Sequence, residues 1–323
     1  MRKYFFSLAG CVLAALGAAA TASAQEYPSR PLQIIVGYGP GGGTDILARV
    51  IAAPLSKILG QPVIVRNLPG AGGQIAASAL LREGADGLAI LAINQPDLYM
   101  GVALNTAPYK ATEFQVIMVD VKDPRVLLVS KGSDIGSLAD FVARARAQPG
   151  KLGISYAQGS AQELFTKWLA GRLGLDLLQV GYKGGSDAVN AMLGGQVSAN
   201  LGDDFARINF RQQSRALFVA SREPSPRWPE AQTLTAVLAP LGIVPPSADF
   251  LARYGVYVVP SSFKQKHAAA YAKLQQALLS SRKSPEFQDY IGKNALQDLS
   301  IGKPGEEFDA AFAADMLEVA KLK

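Results

Sequence analysis

Val36-Gly37-Tyr38-Gly39-Pro40-Gly41-Gly42-Gly43-Thr44-Asp45 joins a segment typical of a β-strand, 32–36, to a segment typical of a helix, 46–59. A glycine-rich turn between a strand and a helix leaves backbone N–H groups bare at a helix N-terminus, a common place to bind an anion. Gly37, Gly39 and Gly42 also fit the G-x-G-x-x-G spacing of dinucleotide-binding turns. The stretch therefore predicts an α/β fold with an anion site and leaves the identity of the anion open.

Residues 1–24 have the pattern of a secretory signal peptide. Arg2 and Lys3 precede the apolar run 4–20, and Ala22-Ser23-Ala24 supplies the small residues of a cleavage site. Cleavage there predicts a periplasmic protein. The stretch 8–11 ends in Cys11 and also resembles a lipoprotein processing site, so acylation at Cys11 is the alternative.

The composition argues against several classes of function. The 323 residues include one cysteine, Cys11, and one histidine, His267, which is expected to be exposed on a helix. A Cys/His nucleophile, a Ser-His-Asp triad or a His-rich metal site is therefore hard to build, and no catalytic residue, metal or cofactor is predicted. The 32 basic and 26 acidic residues are scattered and sum to a formal charge of +6, so nucleic acid is not an expected partner.

After the signal peptide, strand-like and helix-like segments alternate. Strands are predicted over 32–36, 63–66, 88–94, 126–130, 152–156, 178–181, 197–201, 215–221 and 256–259. Helices are predicted over 46–59, 73–83, 137–148, 161–173, 186–193, 262–281 and 304–322, with the proline-rich stretch 223–247 as an irregular connection. The alternation predicts parallel sheets covered by helices, and the number of elements predicts two lobes. Ligands of such sheets bind beyond the carboxyl ends of the strands, which suits a hinged solute-binding protein.

Several motifs together resemble one family. They are Tyr27-Pro28-Ser29-Arg30-Pro31, the stretch 37–45 followed by Ala48-Arg49, the stretch 60–73, Asp86-Gly87, Pro149-Gly150-Lys151, Tyr182-Lys183-Gly184 and the stretch 193–197. This set resembles the Bug-type (TctC-like) receptors, the extracytoplasmic solute-binding components of tripartite tricarboxylate transporters. The resemblance spans essentially the whole exported chain and is strongest over its first third.

The resemblance implies a type II periplasmic-binding-protein fold, in which two α/β lobes are joined by two crossover strands with a ligand cleft between them. Lobe 1 would comprise 26–125 and 255–323, and lobe 2 would comprise 126–254. The implied function is to capture a small organic carboxylate and deliver it to the permease subunits of a tripartite tricarboxylate transporter. A monomer is expected.

The resemblance also implies the site residues. In the first lobe, two waters held by the glycine-rich turn would bridge to one ligand carboxylate, using Tyr38, Gly39, Gly41, Gly42 and Thr44. The turn Ala71-Gly72-Gly73 opens the next helix and is similarly placed. In the second lobe, the other carboxylate would bind at a helix start to the loop Ser155-Tyr156-Ala157-Gln158-Gly159-Ser160, through the two serine hydroxyls and the N–H groups near Gly159.

Other candidate contacts lie nearby. Tyr182 and Lys183 lie on the next such turn of the second lobe. Asp203 and Asp204 follow the strand 197–201 and could receive a cationic or hydroxyl group of the ligand, and Asp204 completes the predicted site. Asp45 is expected to complement the dipole at the start of its helix rather than to face an anionic ligand.

The sequence departs from the family pattern at three places. Gly37-Tyr38-Gly39 stands where the family has proline-phenylalanine-proline, Tyr156-Ala157 replaces proline-glycine, and Glu163 replaces a frequent histidine. Two tyrosines near the cleft would suit stacking on an aromatic ring. These departures suggest the hypothesis that the ligand is an aromatic mono- or dicarboxylate.

A dinucleotide-dependent oxidoreductase is the alternative from another class. Gly37, Gly39 and Gly42 support it, and Arg66 near the end of the second strand could accept a 2′-phosphate. The export signal and the lack of an acidic residue at that strand end argue against it. A receptor that signals instead of transporting is a third hypothesis.

Overall fold

The structure, a computed structural model, describes residues 27–104, 106–245 and 252–320, so the predicted signal peptide and Cys11 lie outside the described residues. The strands are β1 (Leu32–Val36), β2 (Val63–Asn67), β3 (Ala89–Gln95), β4 (Phe114–Ser130), β5 (Gly153–Ala157), β6 (Leu178–Tyr182), β7 (Ala199–Asp203), β8 (Ser214–Val219), β9 (Gln232–Thr233), β10 (Ala252–Pro260) and β11 (Ser300–Pro304). The α-helices are α1 (Gly43–Leu59), α2 (Gln74–Glu83), α3 (Asp97–Ala103), α4 (Leu138–Ala147), α5 (Ala161–Leu173), α6 (Gly185–Leu193), α7 (Leu234–Leu238), α8 (Ser261–Lys266), α9 (Ala268–Ser281), α10 (Pro285–Lys293) and α11 (Asp309–Ala320). Short 3₁₀ turns cover Ala71–Gly73, Ala111–Glu113, Phe205–Phe210, Ala239–Leu241 and Gly305–Phe308.

The strands form two sheet regions that share β4. The first has the order β2-β1-β3-β10-β4, with β11 also on β4; β1, β2 and β3 are parallel, and β10 is antiparallel to its neighbours. The second has the order β6-β5-β7-β4-β8-β9, with β5 parallel to both β6 and β7. Helices cover both regions, which gives the two predicted α/β lobes.

Strand β4 connects the lobes. Its residues up to Pro124 pair with β10, and its residues from Arg125 onward pair with β7. The sequence predicted only 126–130 as strand, because charged residues interrupt the apolar pattern before that point. Those charges are paired in three dimensions, as in the contacts of Asp120 with Arg282. We propose that the lobes divide here, at 125/126 and 254/255.

Each sheet region has a buried apolar core on both faces, although the edge strands β2 and β6 are partly exposed. Along β1, Leu32, Ile34 and Val36 pack with residues of α1, α9 and α10, whereas Ile35 packs on the opposite face with residues of α2. This alternation is the two-residue period of a strand, and both faces of a parallel sheet need an apolar cover. In lobe 2, two separate apolar clusters likewise include Leu127 and its neighbour Leu128.

Several elements differ from the prediction. The helix expected over 262–281 is broken at His267, which has non-helical dihedral angles and is exposed between α8 and α9. Helix α10 was not predicted, although Ser284 accepts a hydrogen bond from the Phe287 amide and Pro285 occupies its first turn. The stretch expected to be helix over 304–322 begins as a 3₁₀ turn and becomes α-helix only at Asp309. Among the described residues, no helix combines the length and apolarity needed to span a membrane.

Candidate functional site

The glycine-rich turn of lobe 1 is held by the first turn of α1. Gly41 has φ 75°, and its amide donates to Asp45 Oδ2 at 2.8 Å. Asp45 also accepts from Arg49 and Asn67. Burial alone would raise the pKa of Asp45, but hydrogen bonds from Arg49, Gly41 and Asn67 outweigh it and the pKa is lowered. Asp45 therefore anchors the turn as an ionised carboxylate.

The loop of lobe 2 is built in the same way at the start of α5. The Gly159 amide donates to Glu163 Oε2 at 2.9 Å, and the Ser160 hydroxyl caps α5 by accepting from the Gln162 amide. The Ser155 hydroxyl is buried and donates to the Ala188 carbonyl. The Gly159 amide, predicted to hold a ligand carboxylate, is thus bound by Glu163, the residue that stands where the family frequently has histidine.

The turns of the two lobes meet backbone to backbone. A Cβ added to Gly72 would lie 2.1 Å from the Gly159 carbonyl oxygen, and one added to Gly184 would lie 3.6 Å from the Gly39 amide nitrogen. A Cβ on Gly41 would lie 3.7 Å from Ser186 Oγ. The closest of these approaches requires glycine, and together they place the lobes in a closed arrangement.

A cavity of about 30 Å³ remains between the lobes, which is room for a water molecule or two. Its lining comes from both lobes: Tyr38, Gly42, Gly43, Thr44, Asn94, Asp97, Ala157, Ser160, Gln162, Gly185, Asp203, Ala206, Arg207 and Arg253. Depressions of about 320 and 630 Å³ lie elsewhere, but neither is lined by the glycine-rich turn of lobe 1 or by the loop 155–160. We therefore take the interlobe cavity as the candidate site.

The structure divides the predicted site residues into three groups. Those that line the cavity are Tyr38, Gly42, Thr44, Ala157 and Ser160. Those in or beside the closed contacts between turns are Gly39, Gly41, Ala71, Gly72, Gly73 and Gly159. Those outside the cavity lining are Ser155, Tyr156, Gln158, Tyr182, Lys183 and Asp204.

The residues outside the cavity have other contacts or face solvent. Tyr156 is buried, and the Tyr182 hydroxyl donates to Gln196 Oε1 at 3.4 Å. Gln158 and Lys183 are exposed. The Asp204 carboxylate is fully buried and accepts hydrogen bonds from Arg227 and from the Ser225 hydroxyl. The residue that lines the cavity is its neighbour Asp203.

A buried ion network forms one wall of the cavity. Arg253 at the start of β10 donates to Asp123 of β4 at 3.0 and 2.9 Å, and to Thr44 Oγ1 and Asn94 Oδ1 at 3.0 and 2.9 Å. Burial raises the pKa of Asp123 to about 6 although Arg253 opposes the shift. Asp203 pairs with Arg125 and lies 3.3 Å from the Arg253 Nε. The Thr44 hydroxyl, predicted to contact the ligand, is therefore part of this network.

A carboxylate of lobe 1 caps a helix of lobe 2. Asp97, the first residue of α3, accepts from the Tyr38 hydroxyl at 2.7 Å and from the Ala161 amide at 2.7 Å. Burial raises the pKa of Asp97 although Arg125 opposes the shift. Asp97 thus occupies the start of α5, the position at which a ligand carboxylate was predicted to bind.

Arg207 is the remaining charged residue of the cavity wall. Its Nε donates to Asn200 Oδ1 at 2.8 Å, and burial lowers its pKa to about 10. Sequence reasoning did not identify Asp97, Arg207 or Arg253 as site residues. Asp97 could have been found because it follows the carboxyl end of a strand, but no local motif marks the two arginines.

The comparisons with known proteins agree with this architecture. Residues 47–315 match the TctC family, the tripartite tricarboxylate transporter family receptor. The chain belongs to this receptor family. It is 35% identical over 264 residues to protein BugT of Bordetella pertussis, covering 76% of this chain and 81% of that protein. It is 34% identical over 261 residues to a UPF0065 protein in the gbd 5′ region of Cupriavidus necator, covering 76% and 79%.

Solved structures of similar fold include the periplasmic binding protein BugD, with TM-score 0.81, 23% identity and coverage of 92% of this chain and 97% of that one. MatC from Rhodopseudomonas palustris with bound malate has TM-score 0.81, 21% identity and coverage of 92% and 99%. An R. palustris protein with adipate has TM-score 0.78, 23% identity and coverage of 92% and 98%. The predicted type II periplasmic-binding fold is confirmed, and the TctC family is one of solute-binding receptors rather than enzymes.

Proposed function

We propose that this receptor captures a small organic carboxylate in the periplasm and delivers it to the membrane permease of a tripartite tricarboxylate transporter. The observation that carries the proposal is the cavity between the lobes, where the turns of both lobes meet at the carboxyl ends of the strands. The cavity has room for only a water molecule or two in this arrangement, so a carboxylate enters with the lobes further apart. Once bound, it contacts both lobes and favours a closed arrangement, which a permease can recognise.

The class of ligand follows from the chemistry of the lining. Backbone N–H groups at helix starts and a buried arginine are suited to carboxylate oxygens. The proteins of similar fold include one with malate and one with adipate. Tyr38 is the predicted aromatic contact that lines the cavity, so the preference for an aromatic carboxylate depends on this side chain.

The alternative oxidoreductase has less support. Arg66, the candidate for a 2′-phosphate, pairs with Glu83 at 2.6 Å. The glycine-rich turn faces the loops of lobe 2 across the small cavity described above. The spacing of Gly37, Gly39 and Gly42 is therefore attributed to the replacement of family prolines.

The ligand is tested with protein purified from its periplasmic fraction. Mass spectrometry identifies any ligand that co-purifies, and thermal shift compares aromatic mono- and dicarboxylates with citrate, malate, aspartate and NADPH. We expect at least one carboxylate to raise the Tm. Stabilisation by NADPH alone would overturn the proposed function, and stabilisation by aliphatic acids alone would overturn the aromatic preference.

Delivery is tested by uptake of the identified carboxylate in cells with and without the gene. Loss of uptake supports transport, whereas unchanged uptake with intact ligand binding supports the signalling hypothesis. The mass of the mature N-terminus distinguishes cleavage after Ala24 from acylation at Cys11. Light scattering after size exclusion tests the proposed monomer.

A further inference from the structure

Two buried arginines of the cavity wall differ in how their charge is satisfied. Arg253 is 1% exposed and donates to Asp123, Thr44 and Asn94. Arg207 is also 1% exposed, but its Nη2 has no acceptor among the described residues. An unsatisfied charged donor is costly to bury, so its persistence beside a cavity indicates a missing acceptor.

The surroundings of Arg207 reinforce this indication. The guanidinium lies against two glycines: a Cβ on Gly202 would come within 2.4 Å of its Nε, and one on Gly185 within 3.0 Å of its Nη2. Gly185 is the first residue of α6, and its N-cap residue Gly184 has no side chain to cap the helix. The N-terminal amides of a helix have no intrahelical partner and carry partial positive charge. A guanidinium and a helix N-terminus therefore converge at a point where one bound anion would accept hydrogen bonds from both.

The same cavity also has an acidic side. Asp97 lines it together with Arg207, whereas the other lining carboxylate, Asp203, already pairs with Arg125 and lies 3.3 Å from the Arg253 Nε. Each Asp97 oxygen accepts one hydrogen bond, from Tyr38 or from Ala161, and each retains acceptor capacity. A second carboxylate on the ligand would be repelled here, whereas a cationic nitrogen would be attracted.

We propose that Arg207 and the N-terminus of α6 bind the carboxylate of the ligand, while Asp97 binds a cationic nitrogen of the same molecule. The ligand is therefore a small amino-carboxylate, and the acidic side discriminates against dicarboxylates. This inference rests on the proposed function, because it assumes that the interlobe cavity is the ligand site.

The test uses two pairs of probes that differ only in replacing one carboxylate by an aminomethyl group. The pairs are terephthalate with para-aminomethylbenzoate and succinate with γ-aminobutyrate, measured by calorimetry on the intact protein. We expect an amino-carboxylate to bind at least about tenfold more tightly than its dicarboxylate partner, which corresponds to about 1.4 kcal/mol. Tighter binding of the dicarboxylates would overturn the inference and leave the proposed function standing. Failure of every carboxylate in this set and in the thermal-shift panel would overturn both.

Variants then assign the roles. Arg207→Gln should weaken amino-carboxylate binding by about 30-fold or more, because the guanidinium that faces the ligand carboxylate is lost. Arg211→Gln is the matched control: Arg211 is four residues away and half-exposed, and it pairs with Glu230 at 3.9 Å. Control-like affinity in Arg207→Gln with a lower Tm would show a structural role and overturn the inference.

Two further variants keep the test decisive. Arg207→Lys retains the charge but loses the planar guanidinium, so it should bind amino-carboxylates more weakly than the wild type. This expectation does not depend on whether Arg207→Gln folds. Asp97→Asn should reduce the preference for the amino-carboxylate within each probe pair. An unchanged preference in Asp97→Asn would overturn the assignment of the cationic group to the acidic side.

Discussion

The two lobes hold their glycine-rich turns with the same local device. In each, a glycine with positive φ donates its amide to an acidic residue four positions later, and that residue pairs with a basic residue four positions further on. The two sets are Gly41, Asp45 and Arg49 in lobe 1, and Gly159, Glu163 and Lys167 in lobe 2. The two glycines have φ of 75° and 73°.

The environments of the two devices differ. The Asp45 side chain is 3% exposed and also accepts from Asn67, whereas the Glu163 side chain is 24% exposed. The lobe 2 helix takes a further carboxylate, Asp97, from the other lobe at its Ala161 amide. The turn of lobe 1 is thus complete within its own lobe, but the loop of lobe 2 is completed only when the lobes close. The same set of hydrogen bonds and ion pairs should therefore contribute more to the unfolding free energy where it is more buried.

The largest effect is expected where the turns meet. Gly72→Ala would place a Cβ 2.1 Å from the Gly159 carbonyl oxygen at a φ of 63°, so the lobes could no longer close. Ligand affinity should fall by about tenfold or more, because affinity scales with the fraction of binding-competent molecules. Small-angle scattering should show a larger radius of gyration.

Gly60→Ala is the control for that substitution. Gly60 has φ 69°, and a methyl group added there would meet open space, so the variant reports backbone strain of about 1–2 kcal/mol without a clash. Equal ligand affinity in the two variants would contradict the closed contact between the turns.

The next effect tests the buried device of lobe 1. Asp45→Asn should lower the free energy of unfolding by about 2–3 kcal/mol at neutral pH, because buried donors lose a charged acceptor. The pKa of Asp45 is lowered from 3.8, so its contribution is complete above that value and disappears as the pH falls through the lowered pKa. Urea unfolding at neutral and acidic pH should show the gap between wild type and variant narrowing in acid.

A smaller effect is expected for the equivalent residue of lobe 2. Glu163→Gln should lower the unfolding free energy by about 0.5–1.5 kcal/mol. The side chain is partly solvated, and the side-chain amide oxygen of the introduced glutamine can still accept a hydrogen bond from the Gly159 amide. Urea unfolding beside Asp45→Asn measures the difference. If Glu163→Gln lowers the unfolding free energy as much as Asp45→Asn does, burial does not determine how much this arrangement contributes to stability.

The smallest effect concerns Lys167, the exposed basic residue that pairs with Glu163. Lys167→Ala should lower the unfolding free energy by about 0.3–0.5 kcal/mol, the usual contribution of an i,i+4 ion pair on a helix surface. Lys293→Ala, which removes a similar pair with Asp289, is the matched control. A cost several times that of the control would show that Lys167 supports the loop through Glu163, and thermal unfolding in low and high salt would measure it.

Much of the fold was predictable because its signals are local. The turn at Gly41, the start of α5, and the alternation of strands and helices depend on neighbours within a few residues. Helix α1 was predicted from 46, whereas it begins at Gly43. The same local signals allowed the family to be recognised and the glycine contacts to be placed near the cleft. Strand β4 was predicted only in part, because Asp120, Asp123 and Arg125 look unsuitable for a buried strand until their partners are known.

The sequence by itself determined the two lobes, the family and the glycine-rich turns, since propensity, periodicity and turn chemistry act over short distances along the chain. Only the tertiary structure decided which charges line the cavity. Arg253 reaches Asp123 across 130 positions, and Asp97 reaches the start of α5 across 64. The physical reason is that a buried charge needs a partner in space, and the chain can supply that partner from any distance in sequence.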